Sequence, residues 1–142
     1  MLPDVDRLCR SDEPSVVDKA TCLLANVLYY HEGNRRAFAV HDEGRAVQYI
    51  INLLGSGGVE RWETRSHAAR AIGALAYNDK LSIKLGDMGA VEAATSVLKD
   101  LHNGTGPEGE SKTAGIATAA QLSKSKSNNK NKKKNNPESD QE

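Results

Sequence analysis

The chain repeats itself, and that constrains its fold more than any other feature. Ala20-Thr21-Cys22-Leu23-Leu24-Ala25-Asn26-Val27-Leu28 lies 48 positions before Ala68-Ala69-Arg70-Ala71-Ile72-Gly73-Ala74-Leu75-Ala76, and the small and apolar positions largely coincide. The likeness returns downstream. Ala46-Val47-Gln48-Tyr49-Ile50-Ile51-Asn52-Leu53-Leu54 matches Ala90-Val91-Glu92-Ala93-Ala94-Thr95-Ser96-Val97-Leu98 at a separation of 44. A period of this length with helical content is the signature of an α-solenoid. Such units bury their faces against neighbours and leave a long surface for partners. The pattern therefore points to a binding module and away from a catalyst.

At 142 residues the chain is about one domain in size. Its formal net charge of zero hides two unlike parts. Residues 1–110 carry 12 Lys/Arg against 16 Asp/Glu, whereas residues 111–142 carry 7 against 3. The body is mildly acidic and the tail basic. All the aromatic residues, Tyr29, Tyr30, Phe38, Tyr49, Trp62 and Tyr77, lie in the body, so only the body can build a core. No apolar run approaches the roughly 18 residues of a membrane span. The start, Met1-Leu2-Pro3-Asp4-Val5-Asp6, lacks the basic and apolar stretches of a secretory signal. Cys9 and Cys22 lie in apolar helical patterns and read as small buried side chains, not a disulfide or a metal pair. A cytoplasmic setting is expected, with the nucleus open as an alternative, and Asn103-Gly104-Thr105 is then a plain loop.

Helical spacing runs through the body. Leu2, Val5, Leu8 and Cys9 predict a short helix to Arg10, with Pro3 in its first turn. Ser11 to Ser15 break it and open a second, whose apolar stripe is Val16, Ala20, Leu23, Leu24, Val27 and Leu28. Glu32-Gly33-Asn34 is expected to stop that helix. Ala37, Phe38 and Val40 suggest a third, closed near Gly44, and Ala46 to Leu54 a fourth, ended by Gly55-Ser56-Gly57-Gly58. The order then repeats: Trp62 to Tyr77 with a small apolar face, a short helix around Leu81, Ile83 and Leu85 ending near Gly86 to Gly89, and Ala90 to Leu101. Nothing alternates with period two long enough to be a strand. Residues 103–111 read as a Gly-rich linker. Lys112 to Leu122 reads as one more, degenerate helix. Residues 123–142 are rich in Lys, Asn and Ser with no large apolar group and are expected to stay disordered.

These residues resemble the armadillo repeat, whose unit reads loosely G-A-[IV]-P-x-L-[VI]-x-L-L and then V-x-x-x-A-x-x-A-L-x-N-L-A. Gly89-Ala90-Val91 through Leu98 is similar to its second helix, as is Gly44 with Ala46-Val47 through Leu54, with Arg45 as an extra residue. Val16 to Leu28 and Arg65 to Ala76 are similar to its third helix. Leu2 to Ser11 resembles the second helix of a preceding repeat. The resemblance covers roughly residues 2–102. It implies an all-α fold, a short right-handed α-solenoid of armadillo-like three-helix repeats, about two full repeats with partial flanking ones.

The resemblance also implies that third helices line a concave face that binds extended peptides. An Asn on this helix contacts the peptide backbone, and Asn26 stands at that position; an amide donates and accepts at once. Ala74 replaces it in the second unit. Cys22 and Arg70 stand where nuclear-import receptors of the family carry Trp, which disfavours nuclear-localisation peptides. The exposed part of the face would comprise Lys19, Asn26, Tyr30, His67, Arg70, Tyr77 and Asn78. Lys19, Arg70 and a protonatable His67 would make it modestly basic and suited to acidic or polar peptides.

Chemical motifs are weaker. Gly104-Thr105-Gly106-Pro107-Glu108-Gly109 matches G-x-G-x-x-G but follows a helical pattern and not a strand. Gly106 to Thr113 misses the phosphate loop because Ser111 stands before Lys112. His31, His41, His67 and His102 show no metal-ligand spacing, and His41-Asp42-Glu43 reads as a surface turn. No cofactor, metal or catalytic group is expected. Lys130-Asn131-Lys132-Lys133-Lys134 could serve as a nuclear-import signal or touch nucleic acid, but it lacks aromatics for stacking, and a solubilising tail is the simpler reading. The expected function is a non-catalytic adaptor or scaffold for a protein or peptide partner. Two alternatives stand beside it: a fragment of a longer armadillo protein, and nucleic-acid contact through the tail. Val5, Leu8 and Cys9 at one end and Val91, Val97 and Leu98 at the other would leave uncapped ends open to self-association, since stacks usually need about three repeats.

Overall fold

The computed structural model describes residues 1–56 and 61–103. Within them every regular element is helical: α1 (Leu2–Cys9), α2 (Pro14–Tyr30), α3 (Glu32–Val40), a 3-10 turn (His41–Gly44), α4 (Arg45–Gly55), α5 (Trp62–Leu75), α6 (Asp79–Asp87) and α7 (Ala90–His102). No helix among the described residues is long and apolar enough to cross a membrane. The expected linker beyond Asn103, the expected helix at Lys112–Leu122 and the tail at 123–142 lie outside the described residues, as do Gly57 and Gly58.

Local chemistry sets the boundaries. Pro3 and Pro14 sit in the first turns of α1 and α2, where a fixed φ and a missing N–H cost nothing. Glu32-Gly33-Asn34, expected to end α2, instead begins α3. His31 alone turns the chain, in an extended conformation. The corner is this tight because α3 serves the carbonyl end of α2. Asn34 Nδ2 donates to the Val27 carbonyl at 3.2 Å, and Arg35 Nη1 donates to the carbonyls of Leu28 and Tyr29 at 3.0 and 3.1 Å. The last carbonyls of a helix have no partner of their own, and here two side chains supply them.

The third helix closes at Val40, earlier than expected, because three successive residues turn left-handed: Asp42, Glu43 and Gly44, with φ of 50°, 57° and 86°. Ion pairs hold this turn to its surroundings. Arg45 Nη2 reaches Asp42 Oδ1 at 2.7 Å, and Arg10 Nη2 lies 3.6 Å from Asp42 Oδ2. His41 Nε2 sits 3.4 Å from Asp6 Oδ2 on α1. His41-Asp42-Glu43 is thus a turn pinned to α1, as its composition suggested. Gly44 and Gly89 both stand in the left-handed region directly before α4 and α7. Ala46 and Ala90 just beyond them are fully buried. The glycine-then-alanine pattern of the two units is therefore a helix entry that turns the next small side chain into the core.

The helices share one apolar core. α2 packs most extensively on α5 and also carries α1 and α3; α4 packs on α5 and α7; α6 joins α5 to α7. Two bonds tie α4 to both ends. The Tyr49 hydroxyl donates to the Cys9 carbonyl at 3.0 Å, and Gln48 Nε2 donates to the Met88 carbonyl at 3.3 Å. Each spans 40 residues, close to the sequence period.

The stripe on α2 is rotated from the expected one. Val17, Ala20, Thr21, Leu24, Ala25 and Leu28 are buried, Val16 and Val27 are half-buried, and Leu23 is 47% exposed. Thr21 enters the core because its hydroxyl donates to the Val17 carbonyl at 2.7 Å, so a polar residue is satisfied within its own helix. The expected apolar ends also shrink. Val5, Cys9 and Val97 are core residues, leaving Leu8 exposed and Val91 and Leu98 half-buried. Cys9 is buried as expected, with burial pushing its thiol up to about 11, whereas Cys22 is only half-buried.

Arg65 is the largest fully buried side chain, 1% exposed. Its Nε donates to the Leu54 carbonyl at 3.0 Å, its Nη2 to Asp100 Oδ2 at 2.8 Å, and its guanidinium stacks 4.6 Å from the Trp62 ring centre. One side chain thereby joins the end of α4, the start of α5 and the end of α7. Its removal leaves the buried Leu54 carbonyl without this donor and empties the space the side chain fills, while Asp100, one-third exposed, can be solvated. Arg65→Ala should lower unfolding free energy by about 2–3 kcal/mol through the cavity and the unpaired carbonyl, read from urea denaturation. At Gly89 an added Cβ would meet only Glu92 Oε2 at 3.9 Å. Gly89→Ala should therefore cost the left-handed penalty alone, about 1–2 kcal/mol, and Gly89→Asn clearly less in the same assay.

Candidate partner-binding face

Two contacts connect the exposed edges of α2 and α5. Near the start of each helix His67 Nε2 lies 3.6 Å from Asp18 Oδ1. Further along, Arg70 Nη2 donates to Asn26 Oδ1 at 2.9 Å. The contacts follow in the same order on both helices, so α2 and α5 run side by side in the same direction. Small side chains permit it: Ala20 and Ala25 on α2 and Ala68, Ala71 and Ala74 on α5 are all buried. What remains exposed on α5 is Glu63, Arg70 and, just past its end, Tyr77, a strip that recurs every seven residues on one side of the helix.

The seven residues singled out in the sequence do lie along these two helices and at the turn after α5, but in different states. Lys19 is exposed, with its ammonium 3.6 Å from Asp18 Oδ2. Tyr30 is 82% exposed and packs edge-to-face on Tyr29, ring centres 5.1 Å apart. Tyr77 is 62% exposed. Asn26 is half-buried. Its carbonyl oxygen receives Arg70, and its Nδ2 lies 4.0 Å from Cys22 Sγ, a contact too long to hold the amide firmly. Arg70 and Asn26, 44 residues apart, form one polar unit. Asn78 is set apart: its Oδ1 accepts from the amides of Lys80 and Leu81 at 3.1 and 3.2 Å. That is an N-cap of α6, so its acceptor serves the fold.

His67 differs from expectation. Its pKa is lowered, first by burial, against the pull of Asp18 and with further lowering by Arg70 and Lys19. It is therefore neutral near pH 7. Asp18 sits between Lys19 and His67 and offsets the positive charge, so the face is less basic than the sequence suggested. Asp18 and Cys22 are the neighbours that sequence reasoning missed. Asp18 had a signal: it stands one turn before Cys22 and two before Asn26 on the same face. At the head of the face lies a crevice of about 290 Å³ between the α1–α2 turn and α5, with Ser11, Asp12, Ser15, Asp18, Arg61 and Thr64 in its wall. Among the described residues no group of His, Cys, Asp and Glu could hold a metal ion.

Against known proteins, the chain matches no family model, no curated protein and no solved structure.

The state of His67 carries a pH dependence. A histidine whose folded pKa is depressed takes up protons more readily when unfolded, so stability falls as pH drops through the ordinary histidine range near 6.5. The melting temperature should decline from pH 7.5 to 5.5. His67→Gln should flatten that slope, measured by circular-dichroism melts at several pH values.

Proposed function

We propose that this chain is a short armadillo-like solenoid segment that works without catalysis, as an adaptor or scaffold, by binding an extended peptide or partner segment along the α2–α5 face. One observation carries the reading. Two helices of like sequence run side by side in one direction and present a line of hydrogen-bonding and aromatic groups, half-buried at Asn26 and broken on α2 by the exposed Leu23. Lys19, Asn26 and Tyr30 come from one helix; Arg70 and Tyr77 come from the other helix and the turn that follows it. An extended peptide has backbone donors and acceptors at regular intervals, and a row of amide and guanidinium groups between tyrosines meets both its polar backbone and its side chains. The Asn26 amide keeps its N–H group weakly engaged and its oxygen on Arg70, so an incoming peptide carbonyl would meet two donors from one cluster. The neutral His67 and the Asp18–Lys19 pair favour polar peptides of mixed charge over strongly acidic ones. Two unpaired cysteines fit a reducing, cytoplasmic setting.

The test is selection from a random peptide library on the full chain, followed by titration of the selected peptides. Arg70→Ala and Tyr30→Ala should each weaken binding about tenfold or more, as expected for central anchors. Asn78→Asp, which keeps the α6 cap, should leave affinity within about twofold. Selected peptides that bind both anchor variants as tightly as the parent chain would remove the reading.

A further inference from the structure

Between the α1–α2 turn and the start of α5 the surface opens into the crevice of about 290 Å³. This is the small end of the range for small-molecule sites and gives room for a ligand of amino-acid size. Its wall mixes two chemistries. Pro14 and Val17 supply apolar surface, while Asp12, Asp18, Arg61 and Glu63 bring charge. Three carboxylates thus stand against one guanidinium, and the lining is net negative. Beside Asp18 the other titratable groups are Lys19 and the neutral His67.

The polar groups of this wall are unspent. Asp12, Arg61 and Glu63 are exposed and form no ion pair among the described residues. Asp18 Oδ1 is buried without a hydrogen bond, since His67 Nε2 stands 3.6 Å away. Its Oδ2 has the exposed Lys19 ammonium, also at 3.6 Å. Thr64 is the independent sign of a ligand. It is 7% exposed and lies in the wall, yet its hydroxyl makes no hydrogen bond among the described residues. A helical threonine commonly satisfies its hydroxyl on the carbonyl four residues back, as Thr21 and Thr95 do here. Thr64 is the third residue of α5 and has no carbonyl of that helix four places before it.

A ligand that fits must donate several hydrogen bonds, carry positive charge and lay methylene groups on Pro14 and Val17. A guanidinium on a short aliphatic chain does all three, with five N–H donors in one plane. A metal ion does not fit, because no group of ligating side chains among the described residues could hold one. Arg61 in the same wall suits a carboxylate on the same ligand, as a charge-assisted pair.

We propose that the crevice between the α1–α2 turn and α5 binds a free guanidino amino acid such as arginine, its guanidinium on Asp18, Glu63 and Thr64 and its carboxylate on Arg61. The two positive groups and one negative group of such a ligand answer the three carboxylates and one guanidinium of the wall. The site uses neither Asn26 and Arg70 nor the exposed tyrosines, so it stands apart from peptide binding and the two readings fail separately.

Titration of L-arginine into the full chain, followed by amide NMR, tests this. Shifts should move at residues 11–18 and 61–64 and saturate with a Kd of about 1 mM or below. Thr64→Val keeps the shape of the side chain and removes the hydroxyl; with the melting temperature unchanged, it should weaken arginine about tenfold. Asp18→Asn should weaken it at least as much, about tenfold or more. Agmatine, which lacks the carboxylate, should bind the parent chain about tenfold more weakly than arginine, and Arg61→Gln should abolish that difference. If Asp18→Asn disturbs the fold, Thr64→Val and Arg61→Gln carry the comparison. Shifts absent up to about 20 mM arginine would overturn the proposal. Equal affinity in all three variants would overturn it too. N-acetyl-arginine amide binding as tightly as arginine would overturn the free amino acid and assign the crevice to an arginine side chain of a partner protein.

Discussion

The contact between α2 and α5 is the constraint on which the rest depends. These two helices carry the two like segments of the sequence, Ala20–Leu28 and Ala68–Ala76, and their packing makes one body of the N-terminal helices α1 to α3 and the C-terminal helices α4 to α7. The contact is close because alanines occupy it. Ala20 and Ala25 on one helix and Ala68, Ala71 and Ala74 on the other let the backbones approach, while Leu24, Leu28, Ile72 and Leu75 fill the space on either side. Interiors are packed as densely as organic crystals, so a single larger side chain in such a seam has nowhere to go. The half-buried polar residues Asn26, Asp18 and His67, with the exposed Arg70, are a consequence: they form the rim of this seam.

Arg65 performs a second and different task. Hydrophobic packing is non-directional and leaves helices free to slide. A buried guanidinium with one bond to the α4 carbonyl end, one to Asp100 and a face on Trp62 has direction as well as strength. It fixes where α7 crosses relative to α4 and α5, at the end of the fold where the chain leaves toward its C-terminal segment. Desolvation makes such an arrangement a poor source of net stability, so its value is geometric.

Much of the fold was legible along the chain. Apolar spacing located the helices of both units, and the absence of two-residue alternation excluded strands. The errors have particular causes. Glu32-Gly33-Asn34 looked like a stop, yet Asn34 and Arg35 supply the carbonyls that end α2, and that partnership exists only after the corner forms. Leu23 stood in the expected stripe and Thr21 outside it, because a hydroxyl bonded to its own helix four residues back counts as polar in a pattern and as apolar in packing. His67 looked basic, but its burial beside Arg70 and Lys19 holds it neutral. Asn78 looked like part of a binding row and is spent on capping α6.

The sequence by itself determined that the described body is helical, that it contains like segments 44 to 48 residues apart, and that the helical pattern breaks near Gly44 and Gly89. These properties depend on near neighbours: side-chain spacing along one helix, and a backbone conformation that a single residue permits. The tertiary structure alone decided that Asn26 would meet Arg70, that Asp18 would stand against His67, and that Arg65 would be buried between Leu54 and Asp100. Each of those pairs joins residues from different helices, and their distance is set by how the small residues of α2 and α5 allow those helices to close. No local propensity encodes that distance, because it is a property of two surfaces brought together.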